Sequence, residues 1–369
     1  MTVTLGALLQ RLERERETPT KFAFFMPTAN GPCRFGAYHI LHRIVLNRLG
    51  WGDRVRLWSP ADSDYFQGLP AGFDALVFTG FMASDLLLEA LYDARPSEVG
   101  AGAALAVYEV FRAELLALLE REAARDLTVP SALWQAAGGA CFGAADLLAR
   151  AARKFAAVRG PSDKPVVLLV GEIYVRCDPF SNGFAVDRLE ERGLKCRFAP
   201  TSEWIEYTDI DNVINRGPVP WSKRISHVVR GRIQDRLYAA IAGPLRWPAR
   251  TTVPQSMDAG GAYVRPELSG EAILTVGGPV HEWREGIIDG VVNLGPHECM
   301  PSKVAEAQFF HVAEREGLLS VSIPLNGDPV DPQVWDSFAW EVHNRRRRRQ
   351  TPSATAVGAR PPVPVPAGR

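Results

Sequence analysis

No Cys-x-x-Cys pair occurs in the 369 residues, and the five cysteines, Cys33, Cys141, Cys177, Cys196 and Cys299, are scattered singly. An odd, dispersed set in a chain of this length makes a poor disulfide framework, so free thiols in a reducing cytoplasm are expected. Neither sign of charge is in excess: 42 Lys plus Arg balance 42 Asp plus Glu. No overall field is left to gather nucleic acid or an anionic membrane. Apolar runs are short and broken by Gly, Pro or charge, and none approaches the roughly 20 residues of a membrane-spanning helix. Met1 to Arg16 reads as an amphipathic helix with both signs of charge, without the zones of a secretory signal. These absences point away from a charge-driven polymer binder and from an exported or membrane-spanning chain.

With 46% apolar and 23% charged residues, the chain can bury a sizeable core and is expected to divide into two domains. Short apolar runs at Phe22 to Met26, Val55 to Trp58 and Ala75 to Thr79 read as strands leading into turns or helices. Leu86 to Tyr92, Leu105 to Arg125 and Asp146 to Val158 have helical spacing. A second alternating unit follows the linker Pro161 to Pro165. It comprises strand Val166 to Val170, a helix from Phe184 to Arg192, strand Lys195 to Ala199, and strands Ala272 to Val276 and Gly290 to Leu294, the last two closing at Gly-Pro pairs. The expected fold class is α/β, two parallel-sheet domains with a helical middle segment. Its parts are an N-terminal helix (1–20), a first α/β domain with a helical extension (21–160), a second α/β domain (165–342) and a disordered basic, Pro-rich tail (343–369) containing Arg345 to Arg349.

Open parallel sheets place ligands in loops at the carboxyl ends of strands. Three such loops carry reactive residues. Pro27 to Gly36 sets Cys33 at a helix start, where backbone amides and Arg34 would favour a thiolate; a small buried thiol in a tight turn is the plainer alternative. Gly295 to Ser302 repeats the placement with Cys299. In the third, Glu172, Tyr174 and Arg176 alternate along a segment read as extended, with Asn182 behind it. Together with Arg34 and Glu203, these are candidates for substrate or interdomain polar contacts. Sulfur at three or four points suits an iron–sulfur cluster or zinc. Cys141, in a Gly-rich stretch, is a candidate third ligand or a buried core thiol, and Cys177 and Cys196 read as structural. His297, two residues before Cys299, opens a zinc alternative with Cys33 and Cys299.

The segments Phe24 to Tyr38, Gly171 to Arg176, Ser181-Asn182, Leu189-Glu190, Ala199 to Trp204 and Cys299-Met300-Pro301 resemble, in matching order, the 2-hydroxyacyl-CoA dehydratase and benzoyl-CoA reductase component family. The nearest branch is the cluster-bearing portion of large CoA-substrate enzyme activases. The resemblance spans about Val3 to Asn344, and Gly-Pro-Cys-Arg-Phe-Gly is its most specific element. It implies flavodoxin-like domains flanking a [4Fe-4S] cluster, with Cys33 and Cys299 at cluster-ligand positions. A further cysteine that the family usually places upstream of the segment like Val3 to Gly6 is missing here. Met1 is then a late start, a ligand is lost, or Cys141 substitutes. The family's Gly-rich nucleotide-hydrolysing domain has no counterpart either. The resemblance therefore implies a component that accepts an electron from a separate ATP-dependent activator, beside a second cluster-bearing subunit, for acyl-CoA chemistry. The alternatives are a non-catalytic scaffold or partner subunit without the cluster, and a zinc protein.

Overall fold

The computed structural model describes residues 2–29, 33–62, 65, 69–70, 72–218 and 221–350. It is an α/β structure, 61% helical, with two separate parallel sheets. The chain opens with a small lobe: helix α1 (Thr2–Arg14), strand β1 (Phe22–Phe25), helix α2 (Tyr38–Arg48) and strand β2 (Val55–Trp58), with β1 and β2 paired in parallel from Phe22↔Val55 to Phe25↔Trp58. Leu8 and Leu12, one turn apart on α1, meet Leu46, Trp51 and Val55 in a core of their own. The Arg54 guanidinium donates to the carbonyls of Glu15, Arg16, Thr18 and Thr20 and stacks on Trp51, which fixes the α1–β1 connection.

Next come α3 (Phe73–Ala94), α4 (Ala103–Ala123), α5 (Val129–Ala137) and α6 (Ala144–Val158). Ala75 to Thr79, expected as a strand, lies inside α3. This helix is covered on nearly all sides, so its apolar residues run on without a period and mimic a buried strand. The stretch Phe73–Ser97 is also long and apolar enough to cross a membrane by length and composition, contrary to the sequence expectation, but 61% of its apolar window is buried in the bundle.

The large lobe contains β3 (Val166–Gly171), α7 (Ile173–Cys177), α8 (Ala185–Glu190), β4 (Lys195–Phe198), α9 (Glu203–Arg216), α10 (Trp221–Leu245), α11 (Val253–Gly260), α12 (Ala272–Arg284), β5 (Gly290–Pro296), α13 (Met300–Glu316), β6 (Ser320–Leu325) and α14 (Pro332–Gln350). The four strands are all parallel in the order β4, β3, β5, β6. Along β3 the pleat alternates faces. Val167 and Leu169 join the core shared with the helical bundle, whereas Leu168 and Val170 join the core under α11, α12 and α13. Both faces are thus covered, as a central parallel strand requires. Asp93 of α3 ties the bundle to the sheet through Arg159, Lys195 and the Trp247 indole N–H.

Three further expectations are corrected. Ala272 to Val276 is the first part of α12, not a strand. Gly277 sits there because a Cβ would come within 1.8 Å of the Ser256 carbonyl oxygen, so its small size marks the crossing of α11 and α12 rather than a turn. The first lobe does not repeat the second, since it has two strands against four. The expected disordered tail begins too early: residues 343–350 continue α14. Arg345 and Arg349 lie over Trp283 at 4.7 and 4.2 Å, and Arg346 pairs with Asp289 at 2.7 Å, which orders the arginine run. The remainder of that tail, 351–369, lies outside the described residues.

Candidate functional site

From β3 the chain crosses to β4 on one side, and from β5 it crosses to β6 on the other. Neighbouring strands whose connections depart in opposite directions leave a crevice at their carboxyl ends, where open α/β sheets bind ligands. Gly171 closes β3 at φ 106°, and a Cβ on it would stand 2.0 Å from the Leu294 carbonyl oxygen, so glycine is required there. Glu172 follows as the N-cap of α7, accepting the Val175 N–H at 2.8 Å. The expected extended segment is therefore a short helix. Glu172 and Arg176 are one turn apart, while Tyr174 is exposed.

Arg176 is 2% exposed and donates to the carbonyls of Gly171 (3.0 Å) and Pro200 (3.1 Å) and to the Glu203 carboxylate (3.2 Å) in the first turn of α9. Asn182 braces this arrangement. Its amide donates to the Arg176 carbonyl (3.2 Å) and its side-chain oxygen accepts the Ala185 N–H (3.0 Å). Asp85, reaching in from α3, accepts the Ser202 N–H at 2.8 Å. Burial pushes Glu203 up to about 7, outweighing Arg176, and it raises Asp85 as well.

The small lobe completes the crevice. Cys33 caps a 3-10 turn, Arg34–Ala37, its sulfur accepting the Phe35 N–H at 3.5 Å. Cys299 occupies the N-cap position of α13. The loops touch directly: the Arg34 guanidinium donates to the Glu298 carbonyl at 2.5 Å, and Glu298 holds a left-handed conformation, φ 59°. Both thiols feel the charges of Glu172 and Glu271, and the Tyr38 phenol feels both thiols. The structure thus brings Cys33 and Cys299 to one place.

It does not make them thiolates. Burial, with Glu271 next, pushes the Cys299 thiol up to about 12, against the Ser302 amide and hydroxyl; burial raises Cys33 also, against the Phe35 N–H and Arg34. The helix starts are outweighed by burial first, with carboxylates from distant parts of the chain adding to it. Three buried polar atoms at the crevice are orphaned: Arg176 Nε, Ser302 Oγ near Cys299, and Oδ1 of Asn293, which lies beside Gly171. Buried polar atoms without partners inside a protein mark places where a polar occupant belongs.

Cys141 does not join the site. It is fully buried in a 3-10 turn among the bundle helices, with Arg236 as its charged neighbour, and burial pushes it up to about 11. Cys196 is buried in β4, whereas Cys177 lies nearer the crevice than expected, its sulfur 3.7 Å from the Thr201 hydroxyl and close to Arg176 and Asp85. His297 is largely exposed and leans on Glu298 at 3.8 Å. Among the described residues, no group of three or more His, Cys, Asp or Glu side chains is arranged to hold a metal ion. A [4Fe-4S] cluster is held by cysteines at its irons, usually four. The two converging thiols therefore do not fit the whole cluster by themselves. Sequence reasoning missed Glu271, Asp85 and Tyr38. The signal that could have found Glu271 is its place before an apolar run after Ser269-Gly270, provided that run is read as a helix.

Comparison of the chain with family models, with curated proteins and with solved structures returns no match.

Proposed function

We propose that the crevice at the carboxyl ends of β3 and β5 is one half of an iron–sulfur site, and that this chain is a cytoplasmic cluster-binding component related to the 2-hydroxyacyl-CoA dehydratases. One observation carries the reading. The Arg34–Glu298 bond joins two loops, 264 residues apart, that deliver one thiol each to a common set of carboxylates. The strand order of the large lobe, the second beside the first and then the third and fourth, supports a flavodoxin-like relationship for that lobe. The two-stranded small lobe gives no such support.

Two sulfurs leave the rest of the ligand set to a second subunit, and the electron to a separate ATP-dependent activator; the ligand is an acyl-CoA. The role of this chain's own residues follows from their charge. Burial keeps protons on Cys33 and Cys299, and they release them when a cationic centre binds. Uptake is then steeply pH-dependent, improving as pH rises. The test is iron and acid-labile sulfide analysis of anaerobically purified protein, co-expressed with candidate partner subunits. Visible absorbance is expected in the parent and lost in both Cys33→Ser and Cys299→Ser.

A second reading, a scaffold subunit that binds no metal, is favoured by the protonated thiols and by the missing third ligand among the described residues. Absence of iron and sulfide from the parent under every partner combination would establish it. Zinc without sulfide would instead point to a site built from Cys33, Cys299 and His297.

A further inference from the structure

At the amino ends of the large sheet, opposite the crevice, lies a cavity of about 190 Å³. Pro165, just before β3, and Gly193, just before β4, line it from the sheet, and His343, Arg346 and Arg347 line it from α14. Those three are spaced i, i+3 and i+4, so they share one face of the helix. Lys164 adds another cation, and Asp163 is the one carboxylate in the lining among the described residues. The cations are held in place without being used up. The Asp289 carboxylate accepts the Val166 N–H at 2.9 Å and pairs with Arg346 at 2.7 Å, which ties that guanidinium to the sheet, yet Arg346 Nε is buried without a partner. Lys164 Nζ donates one of its three protons to the Pro96 carbonyl at 2.7 Å. His343 Nε2 donates to the Arg192 carbonyl at 2.9 Å. Gly193, at φ 75°, keeps the space beside the imidazole open, since a Cβ there would stand 3.5 Å from His343 Nε2. Like charge is crowded on this part of α14: burial, and then the charge of Arg349, lowers the Arg345 pKa.

We propose that this cavity binds a phosphoryl group, carried by inorganic phosphate or by a small phosphate monoester. Guanidinium N–H groups match phosphoryl oxygens two at a time, and a lysine adds a compact point charge. Three fixed cations stand against two carboxylates, Asp163 and Asp289, and the exposed Arg348, next on the helix, adds to the positive field. The volume falls below the roughly 300 Å³ at which pockets for drug-sized ligands begin, so it has room for a phosphoryl group and a few carbon atoms. Neither the thiols nor the carboxylates of the crevice line this cavity, so the proposal does not depend on the function proposed above.

The test is calorimetric titration of the full chain at constant ionic strength in chloride buffer. Inorganic phosphate or glycerol 3-phosphate should bind saturably, one per chain, and the tighter of the two identifies the source of the phosphoryl group. Arg347→Glu, at an exposed position, should weaken that binding about tenfold or more. Arg348→Glu changes the net charge equally but lies off the lining, and should stay within about threefold of the parent. Phosphate should also raise the melting temperature of the parent by mass action, and should not raise that of Arg346→Gln, whatever the loss of the Asp289 pair does to the starting value. Equal weakening in Arg347→Glu and Arg348→Glu would reduce the site to a diffuse field and overturn the proposal, as would a response to phosphate no different from that to added chloride. Binding to phosphatidylserine vesicles without binding of either small phosphate would overturn it too, and would assign the arginines to a membrane surface instead.

Discussion

The two lobes that supply the thiols are unequal. The lobe of Cys299 is built on four parallel strands with a hydrophobic core against each face, and its loops are pinned by Gly171, Arg176 and Asn182. The lobe of Cys33 is a strand pair under two helices whose core cluster has five buried apolar residues, Leu8, Leu12, Leu46, Trp51 and Val55. Two-stranded sheets are marginal in water unless something packs on them, and small cores open first. One thiol is therefore presented by a rigid frame and the other by a part that can yield, so the order of the small lobe decides whether the crevice is whole.

The sharpest way to break this comparison is at the rigid side. Gly171→Ala forces a side chain into φ 106° and onto the Leu294 carbonyl, 2.0 Å from where the Cβ would lie. Strain and clash together should cost about 4 kcal/mol, seen as a lower denaturation midpoint with an unchanged slope. A loss below about 1 kcal/mol would mean that the frame is softer than its packing indicates. On the yielding side, Leu12→Ala removes a fully buried side chain from the small core at a cost of about 3 kcal/mol. Hydrogen exchange should then show lost protection in residues 2–62 with residues 166–325 unchanged. Simultaneous loss in both would show one cooperative unit instead of two.

How far the sequence discloses this division depends on the cue. Val166 to Val170 is legible as a buried strand because it is short, β-branched and bounded by Pro165 and Gly171, and the loops of Cys33 and Cys299 are legible as strand-to-helix turns. Ala75 to Thr79 and Ala272 to Val276 mislead for the same reason that makes Val166 to Val170 clear: a continuous apolar run marks burial on all sides, not strand geometry. Gly277 to Pro279 looks like a turn only because a tight helix crossing needs the same small residue that a turn does. The edge strand Ser320–Leu325 escapes notice because its residues are mostly half-buried and lack a sustained apolar pattern. The protonation of the thiols is invisible in local sequence, since burial, with Glu271 and Glu172 adding to it, comes from the fold.

A smaller effect should come from His42, which is fully buried on α2 with both ring nitrogens unpartnered and its ring 5.8 Å from that of Phe24. Burial first, then the positive N-terminus and His39, lowers its pKa below the ordinary value near 6.5. The unfolded lobe thus binds a proton that the folded lobe refuses, and stability falls as pH drops through about 6.5 toward the folded value. His42→Phe should remove that loss. Exchange protection in residues 2–62 measured between pH 5 and 7.5 should fall toward acid in the parent and stay level in the variant. An equal fall in both would place the sensitivity elsewhere.

The smallest effect tests the joint itself. The Arg34 side chain is solvent-exposed, so its bond to the Glu298 carbonyl is worth only about 1 kcal/mol despite its length of 2.5 Å. Global stability should scarcely change in Arg34→Ala, because neither core loses a contact. The thiols should nevertheless respond unequally. If the small lobe yields and the frame does not, weakening the joint raises the open population about fivefold, and a thiol reagent should label Cys33 about that much faster. Cys299, whose loop is tied to the sheet by the His297 N–H bond to Leu325 O at 2.8 Å, should gain less, since it loses its cover but keeps its position. Equal acceleration at both cysteines would mean that the two loops open as one, and the unequal lobes would then have no bearing on how the crevice is assembled.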